Sequence, residues 1–384
     1  MYKSAIVIGA GIVGLATARA LAVRGYKITV LERTEKAVGA SIRNFGMVWP
    51  IGQPAGMMYE RAMLSKDIWK TICNEAGIWH DEVGSLHTAY DGLEHGVLEE
   101  FYEAVKNDRP CCLLSKEETL KKSGAVVSKG LQGSLYSEDE MIVDPREAIA
   151  KIPPYLAEKY GVRFIWSSGV TKVFHPSVWC GKKVYEGDEI FICNGAEFET
   201  LFPEQFALLP LTKCKLQMMR TEAQPANWRI GAALCGGLSL IHYKSFAPAA
   251  SLNSLKEKFQ IELPDYLKWG IHVMVSQNKD GQLTIGDSHE YGQSFEPFDR
   301  MFINELILDY LKRFASFKSQ KITETWNGIY AKLTDGSTEI VAHPQSGITI
   351  INGLGGAGMT LSFGLCEQVI ASAYTAQKAM PFES

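Results

Sequence analysis

The chain has 384 residues, of which 46% are hydrophobic and 21% charged, with a formal net charge of −4. That is core material for two domains, or for one domain with a large insertion, and the acidic balance argues against a general nucleic-acid-binding surface. No run approaches the roughly 18 apolar residues of a membrane span, and an apolar strand beginning near Ala5 leaves no room for a signal peptide, so a cytoplasmic location is the expectation.

The first element predicted is a short buried parallel strand over Ala5 to Ile8. Gly9, Gly11 and Gly14 then complete a G-x-G-x-x-G pattern, and an Ala-rich segment from Ile12 to Val23 has helical apolar spacing. Gly25 stands where a helix C-terminal glycine belongs, Lys27 to Leu31 reads as a second strand, and Glu32 closes the unit 18 residues after Gly14. Gly9 permits the tight turn, Gly11 lets backbone approach a pyrophosphate, and Gly14 lets the helix pack on the strand. The helix N-terminus offers free N–H groups to phosphate, and Glu32 accepts hydrogen bonds from ribose hydroxyls. The expectation is a dinucleotide site, with FAD and NAD not distinguished by the motif.

A long glycine-rich segment follows Arg33, of the kind that a ligand orders. Helical spacing resumes from about Met58 to Ala76, then a strand within "HDEVGSLHTAYD" and a helix from Leu98 to Val105. Asp144 before Pro145 signals a helix start, leading to a strand at Val162 to Trp166 and a short one around Val173. Ile190 to Cys193 reads as a return to the nucleotide-binding sheet. From Lys213 to Asp287 the pattern alternates, with "GLSLIHYKSF" among the predicted strands and Lys279-Asp280-Gly281 as a hairpin turn. Phe302 to Phe317 is an amphipathic helix. The tail then has a strand (Ile348 to Ile351), a glycine-rich turn (Gly353 to Gly358) and a helix from about Leu361 to Tyr374. A second strand–turn–helix unit this far from the first is what an extended FAD needs. The eight cysteines form no C-x-x-C and read as free thiols; no metal-ligand motif is present, so no metal is expected.

Seven motifs now fall in order: "VIGAGIVGLATARAL" with Glu32-Arg33, "GASIRNFGM", "VDPREAIAKI", "GVTKV", "FICNGAEF", "DGQLTIGDS" and "GLGGAGMTLSFG". By these the chain resembles the D-amino-acid oxidase superfamily of FAD enzymes, especially glycine oxidase and monomeric sarcosine oxidase. The resemblance implies a Rossmann-like α/β FAD-binding domain (1–80, 140–212 and 320–384) interleaved with an antiparallel-sheet substrate domain (81–139 and 213–319). It implies that Gly9, Gly11 and Gly14 hold the pyrophosphate, Glu32 the ribose, and that Arg33 borders adenine. Ser41, Arg43 and Asn44 pass beside the pyrophosphate and flavin ring, Val173 meets adenine, and Gly195 lines the channel. Gly356, Gly358, Met359 and Thr360 then sit at the flavin's pyrimidine end.

Three departures matter. Tyr330, with Lys332 two residues on, stands where glycine and D-amino-acid oxidases carry a carboxylate-binding arginine. Gly328 matches the cysteine that links flavin in sarcosine oxidase, which implies non-covalent FAD. Thr360 replaces its oxygen-activating lysine, leaving oxygen or an electron carrier as acceptor. The string "GASIRNFGMVWPIGQP" is also similar to a subgroup associated with N-alkylated aminoethylphosphonates, for which a phosphonate anion replaces the carboxylate.

The activity implied is hydride transfer from the carbon beside an amine nitrogen to flavin N5, giving an imine that hydrolyses. Candidate substrate-side residues are Arg43, Tyr330, Lys332 and one of His242 and Tyr243, which cannot both face the site if they lie on a strand. Met47 and Trp49 are candidate walls, while His289 and His343 read as structural. The partners expected are a small amine and an electron acceptor, without nucleic acid. The alternatives are an NAD-dependent dehydrogenase, which leaves the tail unit unexplained, a non-catalytic or electron-relay flavoprotein, and an FAD enzyme acting on RNA.

Overall fold

The computed structural model describes residues 3–379. Its nucleotide-side sheet has six strands in the order Ile340–Gln345, Ile348–Asn352, Glu189–Ile192, Ser4–Ile8, Lys27–Leu31, Arg163–Ile165. All neighbours are parallel except the first pair. Such strands are covered on both faces, which is why the sequence reads as unbroken apolar runs there. The helix Ile12–Ala22 and the tail helix Gly358–Ala379 pack against each other beside this sheet, with Met57–Ala76 against the tail helix. The fold is mixed α/β, as the sequence predicts.

The second sheet has nine strands, mostly antiparallel, running from Glu290–Gly292 through Leu211–Thr221, Leu283–Gly286, Met274–Gln277 and Ala233–Cys235 to Ser85–Ala89, Gly133–Ser137 and Cys111–Ser115. Its ninth strand, Ile322–Leu333, pairs with Leu211–Thr221 along most of its length, setting Cys214 opposite Tyr330. The division by sequence put this strand with the nucleotide-binding segments; its hydrogen bonds lie in the large sheet. Its end delivers Tyr330 and Lys332 to the boundary between the two sheets, where Lys332 bridges to Leu354 of the tail unit.

Helix ends follow their capping residues. Asp144 accepts from the backbone N–H of Arg146 and Glu147 and starts Pro145–Tyr160, as predicted. Asp91 does the same for Gly92–Val105, so that helix begins six residues before the apolar periodicity at Leu98 shows. The helix predicted from Phe302 to Phe317 spans Met301–Leu311. The Lys279-Asp280-Gly281 turn joins Met274–Gln277 to Leu283–Gly286, with Gly281 at φ +81°. "GLSLIHYKSF" is not a strand: Leu238–His242 is a short helix and Lys244–Phe246 a 3-10 turn. All eight cysteines are free. Among the described residues no helix is long and apolar enough to cross a membrane.

Candidate active site

One cavity of about 1390 Å³ runs between the two sheets. Its walls include Gly9, Gly11, Glu32, Arg33, Ser41, Arg43, Asn44, Gly195, Gly356, Gly358, Met359, Thr360, Tyr330, Lys332 and His242, so nearly every residue singled out in the sequence meets in one space. Two do not. Gly14 lies on the buried face of the helix Ile12–Ala22, where a Cβ would stand 1.9 Å from the Gly9 carbonyl oxygen, so its part is packing. Val173 pairs with Val178 in a small antiparallel sheet, and Val170, three residues earlier, reaches the cavity instead.

Hydrogen bonds within the protein fix the nucleotide end. Gly9 has φ +101°, and a Cβ there would lie 2.4 Å from the carbonyl oxygen of Cys193. Glu32 accepts from the Ala10 N–H with one oxygen (2.9 Å), and from the Thr34 N–H and hydroxyl with the other (3.1 and 2.8 Å). Ser41 Oγ accepts from the Ile12 N–H at the helix start (2.9 Å), tying the glycine-rich loop to the turn. The Asn44 amide is spent on its own loop, donating to Ala40 and Ser41 carbonyls and accepting from the Gly46 N–H. The bare backbone at Gly9 and Gly11, the adjacent helix start and the fixed carboxylate fit the ADP half of a dinucleotide.

The tail supplies the opposite wall. The helix Gly358–Ala379 begins at the cavity, aiming its positive end into it. Thr360 Oγ1 accepts from the Trp49 N–H (2.9 Å), and Trp69 Nε1 donates to the Met359 carbonyl (2.8 Å). Met47 and Trp49 both line the cavity. The Trp49 segment is braced from behind by buried Glu140, which accepts from the Ile51 N–H and the Ser85 hydroxyl (both 2.9 Å). Burial pushes the Glu140 carboxyl up from 4.5 to about 7, as it does Glu94. A folded-state value raised in this way contributes stability fully below pH 4.5 and loses it as pH rises through about 7. Glu140→Gln, which keeps an acceptor for Ile51, is expected to flatten the fall in Tm between about pH 5 and 8, with Glu94 retaining part of the slope; thermal unfolding across pH checks this.

On the large-sheet side, Tyr330 and Lys332 share one strand face, two residues apart. A Cβ on Gly356 would meet the Tyr330 hydroxyl at 3.5 Å, and one on Gly355 the Lys332 Cδ at 3.8 Å, so both side chains lie along the tail turn. Gly328, on the same face, abuts the Arg43 backbone, and Arg43 Nη1 donates to the Asn327 carbonyl (3.2 Å).

His242 and Tyr243 both line the cavity, because the helix and its exit turn replace the expected alternation. His289, read as structural in the sequence, lines it too, with His272, which sequence reasoning missed. The ring centroids of His242 and His272 are 3.7 Å apart, and each lies about 5 Å from His289 (5.0 and 5.1 Å). One ring nitrogen from each falls within 4.8 Å of the others, a grouping the sequence motifs did not reveal. Asp287 stands behind: its Oδ1 is 3.1 Å from His272 Nε2, without the alignment of a hydrogen bond. His343 is elsewhere, against Thr349 Oγ1 (3.1 Å).

Comparison with known proteins agrees with this architecture. The family described as DAO, FAD dependent oxidoreductase, matches residues 4–372. The tRNA 5-methylaminomethyl-2-thiouridine biosynthesis bifunctional protein MnmC of Pseudomonas putida (strain GB-1) is 24% identical over 253 residues, covering 61% of this chain and 36% of its own length. The chain spans about a third to a half of the length of the curated relatives it matches. Among solved structures, glycine oxidase from Geobacillus kaustophilus superposes with a TM-score of 0.78 at 17% identity, covering 99% of this chain and 97% of its own. L-proline dehydrogenase from P. horikoshii gives 0.77 at 20% identity, covering 100% and 96%. The chain belongs to the DAO family of FAD-dependent oxidoreductases, and its cofactor is non-covalently held FAD.

Proposed function

We propose that the chain oxidises the C–N bond of a small amine bearing an anionic group, giving an imine that water hydrolyses to a carbonyl compound and an amine. The observation that carries this reading is Lys332: a half-buried ammonium in the cavity wall with no ion-pair partner among the described residues. An ammonium in that setting is stabilised by an incoming anion. Bound FAD supplies the two-electron acceptor. The protein's residues position the substrate: Lys332 holds the anion, Tyr330 offers its hydroxyl beside the glycine turn, and Trp49, Met47 and Tyr243 wall off the carbon chain. The N-terminus of the tail helix, with Gly356, Gly358, Met359 and Thr360, stabilises negative charge that develops on its side of the cavity.

The finer reading is an N-alkylated aminoethylphosphonate. Its support is the pairing of Lys332 with three histidines where the resemblance predicts an arginine for a carboxylate. Glycine oxidase and iminodiacetate oxidase among the similar structures are consistent with amine chemistry. The curated relatives act in tRNA modification by name, but the net charge of −4 does not favour a polyphosphate substrate.

The test is anaerobic reduction of the purified yellow protein by N-methyl-2-aminoethylphosphonate, sarcosine, glycine and D-amino acids. The oxidised-flavin band is expected to bleach fastest with the phosphonate. Faster bleaching by sarcosine or glycine overturns the phosphonate reading and leaves amine oxidation standing. Failure with every amine overturns both.

A further inference from the structure

The stacked histidines have chemistry that amine positioning does not use. His272 is buried, and its Nδ1 has no partner. His289 Nδ1 lies 2.8 Å from the Gly270 carbonyl, to which it donates, so its Nε2 is the unprotonated nitrogen when the ring is neutral, facing Asp287 Oδ2 at 3.9 Å. His242 turns its open face to the cavity. Three imidazoles this close cannot all carry charge. Burial first, then mutual repulsion and the nearby Lys332 ammonium, hold His242 and His272 well below the ordinary imidazole range, and burial takes His289 to about 4.

The other titratable groups facing the trio are Asp287 and Tyr291 from its own sheet edge, Tyr243 from the helix exit, Cys214 and Tyr330 from the paired long strands, and Lys332. Burial raises the Asp287 carboxyl. A protonated Asp287 with neutral histidines and an ionised Asp287 with one imidazolium hold the same number of protons. In both, the cluster is neutral and Lys332 supplies the only net charge.

We propose that His242, backed by His272 and His289 and flanked by Lys332, forms an oxyanion subsite that takes up one proton when the anionic group of the substrate binds. This deepens the amine reading and rests on it for the identity of the substrate. A dianion beside Lys332 leaves one negative charge uncompensated, and His242, whose open face is in the same cavity wall, is a neutral base able to answer it. A proton arriving there turns a repulsive stack into a charged partner for the anion. The Lys332 ammonium in the same wall favours an anion over a metal cation as occupant. The near-parallel rings of His242 and His272 (30° apart, centroids 3.7 Å) are also too close for two ligands of one tetrahedral ion.

Sulfate is the probe, since its own charge is constant across the useful pH range. The FAD-loaded enzyme is titrated with sulfate, and separately with acetate, at several pH values between about 5.5 and 8.5, following flavin absorbance and calorimetric proton uptake in two buffers. Sulfate affinity is expected to fall by up to tenfold per pH unit until it levels off, and acetate to bind at least about tenfold more weakly. His242→Gln is expected to bind sulfate at every pH as weakly as the wild type does at the upper limit. Lys332→Met is expected to weaken binding throughout while keeping the slope. A pH-independent sulfate affinity, a slope that survives in His242→Gln, or a stoichiometric transition metal lost from His272→Gln would each overturn the subsite. No turnover is involved, so these outcomes are independent of whether any amine reduces the flavin.

Discussion

Gly14→Ala is expected to purify without flavin. The added Cβ would lie 1.9 Å from the Gly9 carbonyl oxygen and 2.9 Å from its carbon, both backbone atoms held between neighbouring strands. Neither atom can rotate away, so the helix Ile12–Ala22 must lift from the first strand. That displaces the Gly9–Gly11 turn, the helix N-terminus and the Ser41–Ile12 hydrogen bond together, the groups expected to meet the dinucleotide. Overpacking of this kind costs about 1–3 kcal/mol before any lost cofactor contact is counted. The cofactor-to-protein absorbance ratio after desalting reads the result directly. The large sheet has its own apolar core, built around Leu86, Phe101, Phe246 and Ile307, so secondary structure by circular dichroism should survive. Gly92→Ala, where a Cβ meets nothing within 4 Å, is the matched control and should stay yellow. A fully flavinated Gly14→Ala would remove close helix–strand packing from the account of how this chain holds its cofactor.

The same contrast shows what the sequence could and could not reveal. Gly9, Gly11, Gly14 and Glu32 are legible because phosphate binding at a helix start is local: every participant lies within one βαβ unit. The tail turn is legible for the same reason. The histidine trio is not local, since His242, His272 and His289 come from three segments with no shared spacing. A signal for part of it was present in the hairpin. Read outward from the Lys279-Asp280-Gly281 turn, the register that pairs Met274 with Gly286 points His272 toward Ser288; a one-residue shift beyond that pair sets it against Asp287 instead, and the two exchange backbone hydrogen bonds (3.3 and 3.0 Å). The strand expected around His242 gives way to a helix for another reason. "LSLIH" alternates like a strand, but five residues are too few to separate the two periods, and tertiary packing of Leu238 and Leu240 decides for the helix. The long strand Ile322–Leu333 begins on an exposed Thr323–Thr325 stretch and has Gly328 in its middle, so its place is set by pairing with Leu211–Thr221 rather than by a clear alternation of its own.

Lys332→Met is expected to raise KM for an anionic amine by about 10–100-fold while changing kcat far less, the span that corresponds to the roughly 1.5–3 kcal/mol of a hydrogen bond to a charged group. The direction follows from where the side chain sits. Its stem runs along Gly355 and its ammonium lies about 6.0 Å from the Tyr291 ring, while Tyr330 on the same strand face reaches the glycine turn. On the proposed function Lys332 grips the part of the substrate away from the reacting carbon, and such a contact is made equally before and during bond breaking, so its loss is expected in KM. Methionine keeps the length and apolar stem, which isolates the charge. Lys332→Arg should recover part of the loss, because it restores the cation with a different shape. The decisive comparison uses the amine that bleaches the flavin and an analogue of it lacking the anionic group. Wild type and Lys332→Met should handle the uncharged analogue alike. If the variant is impaired to the same degree with both, the lysine serves the shape of the cavity and the anion is held elsewhere, with Arg43, Lys215 and Lys244 among the other cations of the cavity wall.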